Sequence, residues 1–346
     1  MRKLNYSVFP LMIGALAVGS ACSKEEPTKA ASATASASAA PASAPAVAGE
    51  ALPAAQAHAH LTSSCQVVVR VGITELLANE AVKKHLVPAY EKGIKKEATG
   101  KKGKSVKATL DKMGVDPLKD ITELAVCVSN LGEGKKPDFA VVVAGKLRAD
   151  SVVPAVLELD EKKESKEVEV GGVKALSVEK DNVFLGQARD GSIVFAQGKE
   201  AFEAALGTSD AATKTFKLPT QGSFGAVVPG DTFKQFKEQA AKSPFGSYMD
   251  KVERFQTTTD ISAGTSEMRV EVTDEKLAEK LTKELTEMLA ELKTRPPRGP
   301  MAMVLGIIGD AKIAQDGKAV VVTSTMKQEQ LEGLLEQLAE GLSKEL

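Results

Sequence analysis

Tryptophan is absent from this 346-residue chain, and aromatic residues make up only 4% of it. Surfaces that stack sugars or bases need aromatic platforms, so carbohydrate and nucleic acid are poor candidate ligands. Neither sign of charge dominates: 45 Lys and Arg face 46 Asp and Glu, leaving no global field to draw in a polyanion. Histidine is nearly missing, with only His58, His60 and His85, which leaves a nucleophilic hydrolase little choice of base. A G-x-S-x-G elbow, a P-loop and a G-x-G-x-x-G after a strand are all lacking. These absences predict a protein that is not an enzyme and that carries no cofactor or metal.

Long apolar runs are also scarce. Arg2 and Lys3 lead an apolar stretch, Val8–Val18, of about 11 residues, well short of the ~20 that span a bilayer as a helix. Small residues Gly19-Ser20-Ala21 close it ahead of Cys22, and an Ala/Ser/Pro tract then runs to about Pro53. Basic residues, a short apolar core and a small-residue end describe an export signal over 1–21. The tract has too little apolar surface to fold, and Pro41, Pro45 and Pro53 oppose a continuous helix. It reads as a disordered tether over 22–60, with His58 and His60 as polar residues at its end.

The block Gly19-Ser20-Ala21-Cys22 resembles the lipobox of bacterial lipoprotein precursors. That resemblance implies a diacylglycerol thioether on Cys22, which becomes the new N-terminus after cleavage and carries the protein on a membrane. Gly19 departs from the Leu or Val usual at its position. Ser23 after the cysteine implies, by the same resemblance, sorting to the outer membrane, so the expected location is the cell envelope, facing the periplasm or the cell surface. Acyl chains contribute about 0.8 kcal/mol per buried methylene, enough for two or three to hold firmly.

With Cys22 modified, Cys65 and Cys127 remain. In an oxidising compartment they either pair or stay as two buried thiols, and both readings are open.

Past the tether the chain repeats an order of elements. Gln66–Gly72 and Phe224–Gly230 are apolar strands that run into helices, and Phe139–Leu147 and Glu267–Val272 are strands followed by acidic helix caps, Asp150 and Asp274. Asp190-Gly191 and Asp316-Gly317 each sit in a predicted hairpin followed by a helix, at an offset of 126 residues. The expected fold class is α+β: two related strand–helix–strand units over 61–210 and 220–346, with mainly antiparallel sheets and helices packed on one face. The order resembles that of uncharacterised bacterial envelope lipoproteins, a likeness that implies no activity. Leu277, Leu281, Leu285, Met288, Leu289 and Leu292, like Leu331, Leu334, Leu335 and Leu338, follow helical spacing and read as core.

The first unit carries extra residues near 92–115, including Lys92, Lys95, Lys96, Lys101, Lys102, Lys104 and Lys107. Lys95, Lys96, Lys101, Lys102 and Lys104 are the candidate anion-binding residues, for lipid phosphate or another polyanion. His58 and His60 form an H-x-H pair whose rings share one side if the segment is extended, but a metal site needs further ligands. The function these features predict is an exported, lipid-anchored envelope protein that binds or scaffolds a protein or an anionic lipid. A periplasmic carrier with a lipid cleft between helices and sheet is the alternative.

Overall fold

The computed structural model describes residues 56–97, 110–132, 137–148, 151–159, 165–179, 182–235, 246–294 and 310–345. The export segment with Cys22, the tether up to residue 55, the cap Asp150, the Pro-rich stretch 295–300 and Lys101, Lys102, Lys104 and Lys107 lie outside them. Lys95 and Lys96 fall in the last turn of a described helix, without described side chains. All described residues belong to one unit, Ala51–Leu346.

A 3-10 turn, Ala57–His60, opens the described chain. There follow β1 (Val67–Gly72), α1 (Ile73–Ala78), α2 (Glu80–Glu97), β2 (Ile121–Ser129), β3 (Asp138–Gly145) and α3 (Val152–Leu159). Next come β4 (Ser165–Val170), β5 (Val173–Val178), β6 (Val183–Gln187), β7 (Ile193–Gln197), α4 (Lys199–Leu206) and α5 (Ala211–Lys214). The remainder is β8 (Phe224–Pro229), α6 (Gly230–Gln235), β9 (Val252–Asp260), β10 (Thr265–Val272), α7 (Glu275–Thr294), β11 (Lys312–Asp316), β12 (Ala319–Thr325) and α8 (Gln328–Glu345).

The strands form one antiparallel sheet, twelve strands wide among the described residues, in the order β11-β12-β10-β9-β8-β1-β2-β3-β7-β6-β5-β4. The two units expected from the sequence therefore share a sheet, joined where Val68 of β1 faces Val227 of β8. Strand alternation puts successive residues on opposite faces. On what we term the front face, Val68, Cys127, Ala140, Ala196 and Phe184 lie in a row of register partners and belong to the largest core cluster. On the back face, Val143 and Ile193 belong to a separate cluster with Val152 and Ala155 of α3.

Helices of the first half cover both faces, against the expectation of one. Phe202 of α4 is fully buried on the front, its ring 5.8 Å from that of Phe184, while α3 lies on the back. The physical reason is in the strands themselves: β3 is apolar at successive positions 140–144, so both faces need cover. Gly186 makes the approach of α4 possible, because a Cβ there would come within 2.8 Å of the Phe202 ring.

In the second half α7 packs on the back face through Leu277, Ala278 and Leu281 against Val270 and Val320. Asp274 caps it, accepting from the Leu277 amide at 2.9 Å. The last helix, α8, turns away from the sheet and pairs with α2, where Leu331 and Leu335 meet Ala81 and Val82. On the front face of this half, Arg254 is paired with Glu271, and Arg269 bridges Glu271 at 3.6 Å and Asp316 at 2.7 Å.

The hairpin β4–β5 has no counterpart in the expected elements. Its first strand, Ser165–Val170, carries Lys166, Glu167 and Glu169, which reads as a solvated turn. As the sheet's edge it needs such charges to discourage further pairing. Gly171-Gly172, with φ of 59° and 75°, is the local signal, since a two-residue hairpin turn favours positive φ at both positions.

Candidate functional site

A buried polar cluster lies where the chain enters the sheet. Pro53 precedes it in sequence, and Gln56 is extended before the 3-10 turn. Ala57 and Leu61 are 0% and 1% exposed, packed in the front-face cluster with Ala125 and Ala140. The Ser209 amide, just before α5, donates to Ala59 O at 2.6 Å, and its hydroxyl to Leu61 O at 3.0 Å. Residues 56–62 thus form a strap held on the front face, not the end of a disordered tether.

Both histidines of the strap point into the protein. His58 Nδ1 donates to Glu123 Oε1 at 2.7 Å, and the His58 amide donates to the same oxygen at 2.8 Å. Glu123 Oε2 accepts from Arg70 Nε at 2.9 Å. Arg70, almost fully buried on β1, completes its fork with Gly222 O at 2.9 Å and Glu75 Oε1 at 3.2 Å. Every charge in this triad has a partner, as burial demands. Burial alone would push the Glu123 carboxyl up, but the His58 hydrogen bonds and the charge of Arg70 hold it below the usual carboxylate range.

His60 makes a different pair of contacts. Its Nδ1 lies 2.9 Å from Ala205 O, at the C-terminal turn of α4, and its Nε2 lies 2.8 Å from Asp190 Oδ2. Asp190 also accepts from the Ser192 amide at 3.0 Å. Burial opposes the Asp190 charge, but hydrogen bonds from His60 and Ser192 bring its carboxyl below the usual range.

The two rings therefore do not share one side. A 3-10 turn advances about three residues per turn, so residues two apart diverge, and the rings go to separate carboxylates. Among the described residues no group of three or more His, Cys, Asp or Glu is placed to hold a metal ion. His85 is on α2, and its Nε2 is buried without a hydrogen-bond partner.

Beyond the strap, Cys65 and Cys127 form a disulfide, their Cα atoms 5.3 Å apart. Of the two readings left open by the sequence, pairing holds. Cys127 is on the front face of β2, so the bond ties the strap's far end to the middle of the sheet.

Chemically this arrangement holds rather than reacts. Both ring nitrogens of His60 are taken by protein acceptors and its side chain is 0% exposed, so neither nitrogen reaches a substrate. Sequence reasoning singles out the histidines but misses Arg70, Glu123 and the role of Asp190. Arg70 within the apolar run Val67–Val71 is the signal that points to them: a charge amid a buried strand demands a buried counter-charge.

No known protein-family profile and no curated protein sequence matches the chain. Among solved structures, crystal form I of TP0453 is similar at a TM-score of 0.42 and 9% identity, covering 82% of this chain and 98% of that one. Crystal form III of TP0453 is similar at a TM-score of 0.40 and 8% identity, over 83% and 97%. No helix among the described residues is long and apolar enough to cross a membrane.

Proposed function

We propose that this chain is an exported envelope protein, lipid-anchored through Cys22, whose folded part serves as a non-enzymatic binding or scaffolding body. The observation that carries the reading is the order of the first 53 residues: basic start, short apolar core, small residues, cysteine, then an Ala/Ser/Pro tether. A disulfide in the body supports an oxidising compartment. The partners are the membrane, through the lipid, and an envelope protein or anionic lipid near Lys95, Lys96, Lys101, Lys102 and Lys104.

The folded part is, in this reading, an internal duplication. The strand order supports it: outward from the central pair, β1-β2-β3-β7-β6 on one side is matched by β8-β9-β10-β12-β11 on the other. The helices after β3 and β10 both lie on the back face, which also supports it.

Mass spectrometry of the protein purified from its native envelope tests the proposal. A diacylated N-terminal Cys22 with one stoichiometric protein partner is the expected result. An unmodified Cys22 at the mature N-terminus refutes the anchor, and a stoichiometric bound lipid in place of a protein turns the reading to a carrier.

A further inference from the structure

The sheet ends in two edge strands, β4 and β11. An edge strand presents unpaired N–H and C=O groups to any chain able to lie beside it. On β11 the alternation of these groups is set by its neighbours. The Val272 amide donates to Lys318 O at 2.9 Å, so Lys318, Val320 and Val322 direct their backbone groups to β10. Ala319, Val321 and Thr323 then direct theirs to Asp316, Ala314 and Lys312, their register partners on β11. The backbone groups of Ile313 and Gln315 point outward, and no described strand lies on that side.

The side chains of β11 carry their own pattern. Lys312, Ala314 and Asp316 share the front face and are exposed. Lys312 has no ion-pair partner among the described residues. Asp316 holds Arg269 through Oδ2 and is 67% exposed, and a carboxylate has lone pairs for a second cation.

These features fit a second β11 lying antiparallel to the first about a two-fold axis at Ala314. Ile313 and Gln315 of one copy then meet Gln315 and Ile313 of the other as hydrogen-bonded pairs, which uses their outward N–H and C=O groups. Lys312 faces Asp316 of the second copy, and Asp316 faces its Lys312. Both fall at non-hydrogen-bonded positions, where Cα atoms lie about 4.5 Å apart and side chains come closest. Opposite charges placed so attract.

We propose that β11 is a self-pairing edge: two copies of this chain associate antiparallel through Lys312–Asp316 and continue the sheet as an isologous dimer.

The opposite edge behaves in the contrary way. Strand β4 reads Ser-Lys-Glu-Val-Glu-Val over Ser165–Val170. Centred on Lys166, Glu167 or Glu169, a self-pair sets that charge against its own copy, and centred on Val168 it sets Glu167 against Glu169. Like charges directly opposite repel, so β4 resists self-pairing while β11 favours it. A single short strand pair is small beside a standard interface of about 1,600 Å². The dimer is therefore weak in dilute solution and forms where copies are held close together, as on one membrane. The membrane enters only through the proposed anchor, and the strand pairing stands whether or not Cys22 carries lipid.

Zero-length carbodiimide cross-linking of the unmutated full chain, in its native envelope and concentrated after purification, tests the pairing. Within one copy Lys312 and Asp316 are ~13 Å apart along the strand, so an amide between them forms only between copies. The expected result is a Lys312–Asp316 cross-linked peptide in a dimer band, and the N-terminal mass reports the anchor separately. Ala314→Cys gives a second readout, because the thiols of two copies face each other across the axis, whereas Cys65 and Cys127 are already bonded. Oxidation is expected to give a disulfide-linked dimer beyond any seen in the unmutated chain. Adding Lys312→Glu is expected to lower its yield about tenfold, and adding Lys312→Arg to keep it. Absence of the Lys312–Asp316 peptide from both preparations, or an Ala314→Cys dimer undiminished by Lys312→Glu, would each overturn the self-pairing edge.

Discussion

The two halves of the sheet treat their front faces in opposite ways. In the first half, α4 and the strap close over β1, β2, β3 and β7 and bury His58, His60, Arg70 and Glu123, which are matched: His58 and Arg70 with Glu123, and His60 with Asp190 and Ala205. In the second half, α8 goes to α2 instead. The front strands there carry Arg254, Glu271, Arg269 and Asp316, linked in a row in which Asp316 is 67% exposed. Similar strand patterns thus support two kinds of electrostatics. What separates them is where the helix after the last hairpin lands, because the cover, and not the strand, sets the local dielectric.

If that contrast is right, removing one carboxylate has very different costs in the two halves. Glu123→Ala leaves the buried Arg70 with only the part-exposed Glu75 as counter-charge and is expected to lower unfolding stability by about 3 kcal/mol in urea. A loss below ~1 kcal/mol would place the cluster at the surface in solution and end the comparison. The disulfide follows closely in size. Cys65 and Cys127 are 62 residues apart, and Cys65→Ser with Cys127→Ser is expected to lose about 2–5 kcal/mol. The loss of protection should centre on the strap, β1 and β2, and exchange that rises equally throughout the sheet would contradict this.

The helix that creates the contrast is itself open to test. Gly186→Ala puts a methyl group against Phe202 and is expected to cost about 1–3 kcal/mol by forcing α4 off the front face. A variant as stable as the parent would show that α4 has room to yield.

Acid should also separate the halves. Glu123 and Asp190 both hold their protons more weakly than ordinary carboxylates. Their contribution is therefore complete above the usual carboxylate range, about pH 4, and is lost as pH falls through their lowered values. Exchange at falling pH is expected to open the strap and β1–β2 before β10–β12, and the reverse order would refute the assignment. The smallest effect belongs to this partly exposed row, where Glu271 is 25% exposed: Glu271→Gln is expected to change stability by about 1 kcal/mol or less, and a loss as large as that of Glu123→Ala, measured in urea, would mean that this face is covered after all.

Legibility in the sequence follows the range of the forces involved. The hairpin strands on both sides of Asp190-Gly191 and Asp316-Gly317, and α7 starting after Asp274, emerge at nearly the expected residues, because turn chemistry, alternation and capping act within a few residues. The first of these hairpins is wider than expected: Gln187 faces Ile193, leaving five residues in its loop. The edge hairpin β4–β5 is hidden because its charges serve an edge, and nothing local says that a strand will be one.

The strap passes for tether for a related reason. Ala57-His58-Ala59-His60 continues the composition of the tract before it. Only contacts 65 and 130 residues away, at Glu123 and Asp190, turn it into part of the core.

The sequence by itself determined the mixed α+β class and most of the elements: strands and helices outside the β4–β5 hairpin, and where two of the hairpins turn. The tertiary structure alone decided that the strands join in one sheet, that Cys65 meets Cys127, and that two histidines at the end of a low-complexity tract become buried ionic partners. Local propensity is written in neighbouring residues. The partners of His60 are not, because the fold brings Asp190 and Ala205 to it from far along the chain.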